Sequence, residues 1–268
     1  MTIDAAAYLG PWPFRPIEGK AAGLSRMMRE TGVSAAVVSP LDGLFHQDPE
    51  APNDRLLGRM RRSNNWFAAP IVNLRMANWK QRIARYAAQP QVKAVRLAPT
   101  FHGYQLGEAR QLAQWASECG LAVAVQLRML DERFHPVFLE LPPTPLADVV
   151  SIAGGTPAVR WVVSAARLHE TLTLAEQIGQ LANLWLDTSH IDGLDCMRRA
   201  CDAVGAERLL FSTCWPFFYA RSAFLKVEEA ELSEQQTARI VIENATRAFA
   251  LGTRRGRIPS DGSHRGAP

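Results

Sequence analysis

Hydrophobic residues form short, nearly continuous runs, separated by longer segments in which apolar positions recur with a helical period. Eight of these runs are rich in Val, Ile, Leu and Ala and show little alternation with polar residues. This pattern is typical of strands buried on both faces of a parallel sheet. The predicted strands are Ile3–Tyr8, Ser34–Ser39, Trp66–Val72, Val92–Ala98, Leu121–Leu127, Val159–Ser164, Leu184–Thr188 and Arg208–Ser212.

Amphipathic segments between these runs predict helices. They are Lys20–Glu30, Trp79–Ala88, Leu106–Cys119, Leu194–Val204 and Ser233–Leu251, the last opened by a Ser233/Gln236 capping box. Eight strands alternating with helices favour an α/β fold, a single (β/α)8 TIM barrel, with a doubly wound open sheet as the alternative. No G-x-G-x-x-G follows the first strand, so we predict no dinucleotide site.

Composition agrees with one barrel domain over residues 1–251, since 268 residues with 47% hydrophobic content suit a single packed barrel. From Gly252 onward the chain is rich in Gly, Arg, Ser and Pro, which predicts a disordered tail over 252–268. The two longer loops that we predict follow strand two (residues 40–52) and strand five (residues 128–145).

Net charge, hydrophobic run length and cysteine spacing limit the classes of partner and the cellular location that we expect. The net charge of +4 lies partly in the tail, and no basic face is interleaved with aromatic residues, which argues against nucleic acid. No apolar run reaches the length of a membrane span, and no signal-peptide pattern opens the chain. The four cysteines lack CxxC spacing. We expect a cytoplasmic protein with a small-molecule substrate and no membrane partner; a homo-oligomer stays an open alternative.

Polar residues follow several predicted strands, where loops build the active sites of barrels. After strand one, Trp12 and Arg15 predict either a substrate-binding wall or a packed plug. After strand two, His46 lies near Asp42, an arrangement suited to proton transfer because a carboxylate fixes the tautomer of a histidine. The alternative for this pair is an ordinary surface loop.

Strand four contains Arg96 in an otherwise apolar run, and a buried guanidinium needs a partner. We expect that partner to be an internal carboxylate or an anionic substrate. Just beyond, His102 is a candidate acid or base and Tyr104 a candidate donor to a developing oxyanion. A tight turn at Gly103 is the structural alternative and is compatible with both roles.

The segment after strand five is dense in titratable groups. Gln126 and Arg128 are predicted to contact substrate, and His135 is a further candidate for proton transfer. The neighbouring Asp131, Glu132 and Arg133 form either a solvated lid or a source of a carboxylate for Arg96 or His102. After strand seven, His190 is expected to have a supporting or surface role rather than a catalytic one.

Four segments carry a family resemblance in the expected order. GAERLLFSTCWPF at residues 205–217 resembles the strand-eight segment of the amidohydrolase-related family, and IVIENATRAF at residues 240–249 is similar to its closing helix. IDAAAYLG at residues 3–10 and VKAVRLAP at residues 92–99 resemble its strands one and four. The resemblance covers residues 1–251 and implies a barrel that acts on small carbonyl compounds.

The metal ligands of that family are missing here. The resemblance implies histidines on strands one, five and six and an aspartate on strand eight. The corresponding residues are Ala6, Tyr8, Gln126, Ala165 (or Ser164) and Cys214. One amide and one thiol do not form a divalent-metal site, so we predict no metal and no cofactor. Cys214 is either a nucleophile, which needs a neighbouring base, or a small residue that fills the vacated position.

Three functions stay open at this stage. The first is a metal-independent hydrolase (lactonase-like) or isomerase acting on a small, anionic carbonyl compound such as a lactone or sugar acid. The second is a catalytically decayed barrel that binds a ligand or partner. The third is a metal enzyme with an unusual ligand set, for example His46, His102, His135 and Cys214.

Overall fold

The computed structural model describes residues 1–17, 19–61, 63–129 and 141–252. Eight parallel strands form in the predicted order. Their bounds are β1 Thr2–Leu9, β2 Val33–Pro40, β3 Trp66–Ala68, β4 Ala94–Leu97, β5 Ala122–Gln126, β6 Trp161–Ser164, β7 Leu184–Asp187 and β8 Leu209–Leu210. Each lies within or overlaps one of the eight apolar runs, so these predictions are confirmed.

The strands close into a barrel. Neighbouring strands pair in sequence order within two groups, β1–β2–β3 and β4–β5–β6–β7–β8. Between β3 and β4, Lys93 N donates to Ala68 O at 3.0 Å and Arg96 N to Pro70 O at 2.8 Å. Between β8 and β1, Ala5 N donates to Phe211 O at 2.9 Å. Hydrogen bonds therefore run around the whole ring, which makes the fold a (β/α)8 TIM barrel and excludes the open sheet.

Helices surround the strands. They are α1 Ala21–Thr31, α2 Glu50–Met60, α3 Trp79–Ala87, α4 Pro99–His102, α5 Arg110–Glu118, α6 Leu146–Gly154, α7 Leu168–Thr173, α8 Ala175–Gln180, α9 Cys196–Val204, α10 Ala220–Glu228, α11 Glu234–Ala238 and α12 Asn244–Ala248. The predicted helix at 233–251 forms as α11, a π turn and α12, and its Ser233 capping box is present.

Two features differ from the predicted loops. The loop after β2 contains a 3-10 turn, Asp42–Phe45, and ends where α2 begins at Glu50. Pro52 lies in the first turn of α2, where a missing N–H costs nothing, so proline there does not mark a loop. The segment after β5 falls mainly on residues 130–140, which lie outside the described residues, as do 253–268.

The barrel interior is filled by small side chains on its lower levels and by polar ones near its top. Ala94, Ala122 and Ala124 pack with Trp185 and with Phe249 just after α12, which closes the bottom. Two positions beyond Val37, Ala94, Ala124 and Val162 of this cluster, the inward residues become polar. They are Ser39, Arg96, Gln126 and Ser164, and all are buried. No described helix is long and apolar enough to cross a membrane.

Candidate active site

The centre of the barrel mouth is occupied by the guanidinium of Arg96, which is fully buried. Its Nη1 donates to Gln126 Oε1 at 2.7 Å and to Ser164 Oγ at 2.9 Å, and its Nε donates to Ser39 Oγ at 2.8 Å. The guanidinium carbon Cζ of Arg96 lies 5.2 Å from the ring centre of Tyr8. The Tyr8 hydroxyl also donates a hydrogen bond to Gln126. These partners are neutral, so no carboxylate of the described residues pairs with Arg96, while its Nη2 has no hydrogen-bond partner among them and the predicted contact with an anionic substrate stays a prediction.

The residues present do not fit the divalent ion that the family resemblance implies. Of the ligand positions, Tyr8 and Gln126 are bonded to each other and Gln126 also holds Arg96, whose positive charge repels a cation. Among the described residues, no group of three or more His, Cys, Asp and Glu side chains is placed to hold a metal. We therefore derive no chemistry through a metal ion.

An aromatic cluster covers this centre. The rings of Trp12 and Phe217 lie 5.0 Å apart, those of Trp12 and Phe45 5.1 Å apart, and those of Phe45 and Phe101 5.5 Å apart, all edge to face. Trp12 is only 5% exposed. The loop after β1 is thus a packed plug over the barrel centre, and Trp12, Phe14 and Arg15 of the same loop also line the neighbouring cleft.

Cys214 is buried beneath that plug and packs with Tyr8 and Trp12 in the same apolar cluster. Burial raises the pKa of its thiol well above the usual value, and the nearby Asp187 and Asp4 act in the same direction. The thiolate needed for nucleophilic attack is therefore disfavoured. This supports the interpretation of Cys214 as a residue that fills the vacated position.

A cleft of about 950 Å³ opens beside the plug, over the ends of β6, β7 and β8. Its lining combines aromatic and apolar side chains with cationic ones. The lining residues used below are Trp12, Phe14, Phe217, Phe218, Leu168, Leu172, Arg15, Arg167, Arg199, Lys226, Ser189, His190, Asp192 and Ser222. The size is that of a small-molecule site.

The charge of the cleft is strongly positive. The cleft is lined by four cationic side chains, those of Arg15, Arg167, Arg199 and Lys226, and by the carboxylate of Asp192. Guanidinium groups bind carboxylates through paired hydrogen bonds and stack on aromatic faces. Aromatic rings beside such cations make the cleft suited to a small, flat anion.

His190 is the histidine best placed for chemistry in this cleft. Its Nδ1 lies 3.1 Å from Ser189 Oγ, and Ser189 Oγ lies 2.6 Å from Asp187 Oδ1. The ring meets Phe218 edge to face at 5.1 Å. Burial lowers the pKa of His190 to about 4, with Asp187 opposing the shift and Arg128, Lys226 and Arg167 adding to it. The imidazole is therefore neutral at physiological pH and is available as a base.

Lys226 fixes the loop that carries His190. Its Nζ donates to the carbonyl oxygens of Thr188 at 2.9 Å, Ser189 at 3.3 Å and Ile191 at 3.0 Å. These three bonds use all the protons of the ammonium group. Burial lowers the pKa of Lys226. Lys226 thus adds positive charge to the cleft while its hydrogen bonds hold the end of β7.

Of the histidines favoured from the sequence, His46 and His102 do not line this cleft. His46 is exposed beside a separate shallow pocket that it shares with Asp42, and Asp42 pairs with Arg55 instead. His102 is buried, which lowers its pKa to about 4, and its ring stacks at 6.4 Å on Tyr104. His135 lies outside the described residues.

The remaining predicted residues divide between support and lining. Burial raises the pKa of Tyr104, whose hydroxyl is enclosed away from the cleft. Arg128 pairs with Glu170 at 2.5 Å and donates to Ala165 O at 2.7 Å, so it braces the end of β6. Gln126 donates to Arg128 O at 2.6 Å. Arg15 does line the cleft, as expected of a binding residue.

Four lining residues of the cleft were not predicted from the sequence: Arg167, Ser189, Arg199 and Lys226. A signal existed: Arg167 and Ser189 come directly after β6 and β7, while Arg199 and Lys226 lie in the helices after β7 and β8. The ends of neighbouring strands meet at one face of a barrel, so charge after three consecutive strands converges. That convergence is the sequence feature that indicates this sector.

Comparisons with known proteins agree with this architecture. The sequence profile of the amidohydrolase family matches residues 11–251. No curated protein matches the sequence.

Three solved structures share the fold. The 5-carboxyvanillate decarboxylase from Sphingomonas paucimobilis superposes with a TM-score of 0.70 at 13% identity, over 93% of this chain and 98% of that one. The dihydroxybenzoic acid decarboxylase from Polaromonas sp. JS666, with bound manganese and the inhibitor 2-nitroresorcinol, gives 0.72 at 14% identity over 94% and 98%. The 2,6-dihydroxybenzoate decarboxylase from Rhizobium gives 0.66 at 15% identity over 94% and 99%.

Proposed function

The chain belongs to the amidohydrolase family, and within that family we propose that it is a metal-independent enzyme acting on a small anionic aromatic acid or its lactone. The observation that carries the proposal is the cleft over β6–β8, where four cationic side chains surround aromatic walls. Charge-assisted bonds to a carboxylate supply affinity, and rings of the lining pack against a flat substrate.

The reaction that this cleft supports best is hydrolysis of an activated ester such as a lactone. Nε2 of the neutral His190 takes a proton from water as the water oxygen bonds to the carbonyl carbon. The cationic lining stabilises the negative charge that develops on the carbonyl oxygen. The ring C–O bond then breaks, and the leaving alkoxide receives the proton from His190. The products are the hydroxy acid and the unmodified enzyme.

Decarboxylation of an aromatic acid is a second candidate. It is favoured by the solved structures of similar fold, which are named as decarboxylases of carboxyvanillate and dihydroxybenzoate. In that reaction the C–C bond to the carboxylate breaks and the ring carbon takes a proton, so the enzyme must supply an acid. His190, with a pKa lowered to about 4, carries few protons at neutral pH. Hydrolysis begins from the neutral imidazole and needs no acid at its first step, so we place it first, although the lowered pKa also makes His190 a weak base.

One experiment separates these reactions. Full-length protein is incubated with dihydrocoumarin, sugar lactones, 2,6-dihydroxybenzoate and 5-carboxyvanillate, each with and without chelator, while ring opening and CO₂ release are followed. We expect chelator-resistant ring opening that falls by about 10²- to 10⁴-fold in His190→Gln. CO₂ release without ring opening would replace hydrolysis by the second candidate. Binding of the acids without turnover of any compound would indicate a ligand-binding barrel.

Substrate binding is tested separately with Arg199→Ala, measured by calorimetry with benzoate-type acids. Arg199 is exposed on α9 and lines the cleft, so its removal should raise Kd roughly fivefold to tenfold, about 1 kcal/mol. Arg198→Ala is the matched control, because Arg198 lies next to it on α9, does not line the cleft and loses the same charge. Equal Kd values for the two variants would contradict the proposed binding site.

A further inference from the structure

The end of β7 contains a short chain of polar groups that leads from a buried carboxylate to the cleft. Asp187 Oδ1 lies 2.6 Å from Ser189 Oγ, and the same Ser189 Oγ lies 3.1 Å from His190 Nδ1. Asp187 and Ser189 are buried, with exposed fractions of 0% and 7%. All three residues lie within four positions of the chain, so their relative placement is set locally.

The direction of each hydrogen bond in this row of polar groups follows from the number of protons that the groups carry. A carboxylate only accepts hydrogen bonds, and a serine hydroxyl has a single proton. The Ser189 proton therefore goes to Asp187, as the 2.6 Å separation indicates. Ser189 Oγ can then only accept from His190, which places the ring proton on Nδ1.

The other ring nitrogen is left as a lone pair. His190 Nε2 is enclosed and has no hydrogen-bond partner among the described residues, while the residue itself lines the cleft. An unprotonated Nε2 can accept a proton from water or from a substrate hydroxyl only when that molecule comes within hydrogen-bond reach of it. The tautomer thus decides whether His190 has a nitrogen that can act as a base.

Neighbouring groups hold the ring in this orientation. Lys226 binds the carbonyls on both sides of His190, those of Ser189 and Ile191. Phe218 packs against the ring edge to face. Ser189 N also donates to Asp187 Oδ1 at 3.0 Å, which fixes the turn between the two residues. Rotation of the imidazole would break the contact with Ser189 without providing another acceptor for Nδ1.

We propose that Asp187 and Ser189 are positioning residues that lock His190 in the Nδ1-protonated tautomer, so that its enclosed Nε2 keeps a lone pair. Free histidine prefers the opposite tautomer, with its proton on Nε2. The role in catalysis rests on the proposed function, but the tautomer is a property of the unliganded protein. It can therefore be tested without a substrate.

The test is nitrogen-15 NMR of full-length protein with labelled histidines, at pH 7 and without ligand. The His190 signals are assigned from the spectrum of His190→Gln. We expect a protonated Nδ1 and an unprotonated Nε2 in the wild type. Ser189→Ala should shift the population toward the Nε2-protonated form by at least several-fold, and Ser189→Thr, which keeps the hydroxyl, should restore the wild-type signals.

Ser222→Ala is the matched control, because Ser222 is an exposed serine of the same cleft whose hydroxyl donates to Tyr219 O at 2.7 Å. Amide spectra confirm that each variant is folded. An Nε2-protonated His190 in the wild type, or the same tautomer in Ser189→Ala as in the wild type, would overturn the proposal.

Kinetics provide the second readout once a substrate is found. Ser189→Ala should lower kcat about tenfold or more with little change in KM, since the substrate still meets the same cationic lining. A rise in KM with unchanged kcat would contradict a positioning role. If wild-type His190 does not carry its proton on Nδ1, this inference is refuted but the proposed function is not. If no substrate is turned over, the proposed function is refuted but the tautomer measured by NMR is unaffected.

Discussion

Asp4 shows how a single ionisable residue is handled inside this barrel. Its Oδ1 accepts from Ala6 N and Thr213 N, both at 3.1 Å, and its Oδ2 accepts from Thr213 Oγ1 at 2.5 Å. These donors do not offset the cost of removing a carboxylate from water. Burial raises the pKa of Asp4 from 3.8 to about 7, with Asp187 acting in the same direction.

The shift of Asp4 predicts a stability that falls as pH rises. An acid whose folded pKa is raised binds its proton more tightly when folded. Its contribution is therefore fully present below pH 3.8 and is lost between pH 3.8 and about 7. Asp4→Asn removes the ionisation and keeps an oxygen acceptor, so the free energy of unfolding should decline less over this range, by on the order of a few kcal/mol. Urea unfolding at pH 4 to 8 measures it.

Asp202→Asn is the control for Asp4, since Asp202 is exposed on α9. It should leave the slope of stability against pH unchanged. If Asp4→Asn retains the wild-type slope, the carboxyl of Asp4 is not the group that titrates in this range.

Individual residues were predicted unevenly from the sequence, for a physical reason. Arg96 was recognised as interior because an arginine in an apolar run has no other place in a barrel strand. Its partners Ser39, Gln126 and Ser164 lie on three other strands, so no local sequence pattern predicts that they bind Arg96. His102 was favoured over His190 because the covering of one sector by Trp12 and Phe45 depends on packing between distant loops.

At the scale of elements, strands were easier to predict than the helices between them. A strand buried on both faces has a continuous apolar run, and this run can be recognised without knowing which strands pair with it. Short helices such as α4 and α7 bury few residues and give no periodic signal. The closing helix was predicted from its amphipathic spacing and its Ser233/Gln236 capping box, and the structure shows what Asn244 of this helix does.

Asn244 joins the closing helix to the strand that precedes the site. Its Nδ2 donates to Ala206 O and Leu209 O, both at 2.8 Å, and the side chain is fully buried. Asn244→Ala leaves two buried carbonyls without this donor, which should lower the free energy of unfolding by about 1–3 kcal/mol. Thermal and urea unfolding of the variant against wild type give the value.

Asn64→Ala is a matched control, because Asn64 is exposed in the loop before β3. Its unfolding midpoint should stay within the error of the wild type. A loss for Asn244→Ala no larger than for this control would mean that water replaces the amide at Ala206 and Leu209.

At the scale of the whole molecule, the chain has the barrel of its family, with a polar centre built around the buried Arg96. A guanidinium bonded to neutral side chains lies where the resemblance implies a metal, and aromatic rings seal it. The open, charged cleft lies to one side, over β6–β8. This displacement could not be predicted from strand order, because it depends on which of the loops around the mouth pack together.

The displaced site predicts that transition metals have no effect on stability or activity. A resident ion that binds only the folded state raises its stability, and a chelator reverses the gain. Because Arg96 fills the centre with a positive charge, added Mn²⁺ or Zn²⁺ should leave Tm unchanged, and elemental analysis of the purified protein should find less than stoichiometric metal. The matched variant is the double variant His169→Gln/His190→Gln, since His169 and His190 both line the cleft. A rise in Tm of several degrees with Zn²⁺ that disappears in this double variant would place a metal in the cleft, whereas a rise that persists would place it elsewhere in the protein. Either rise would contradict the proposed metal-independent site, while unchanged Tm together with chelator-resistant turnover is the outcome that the proposal predicts.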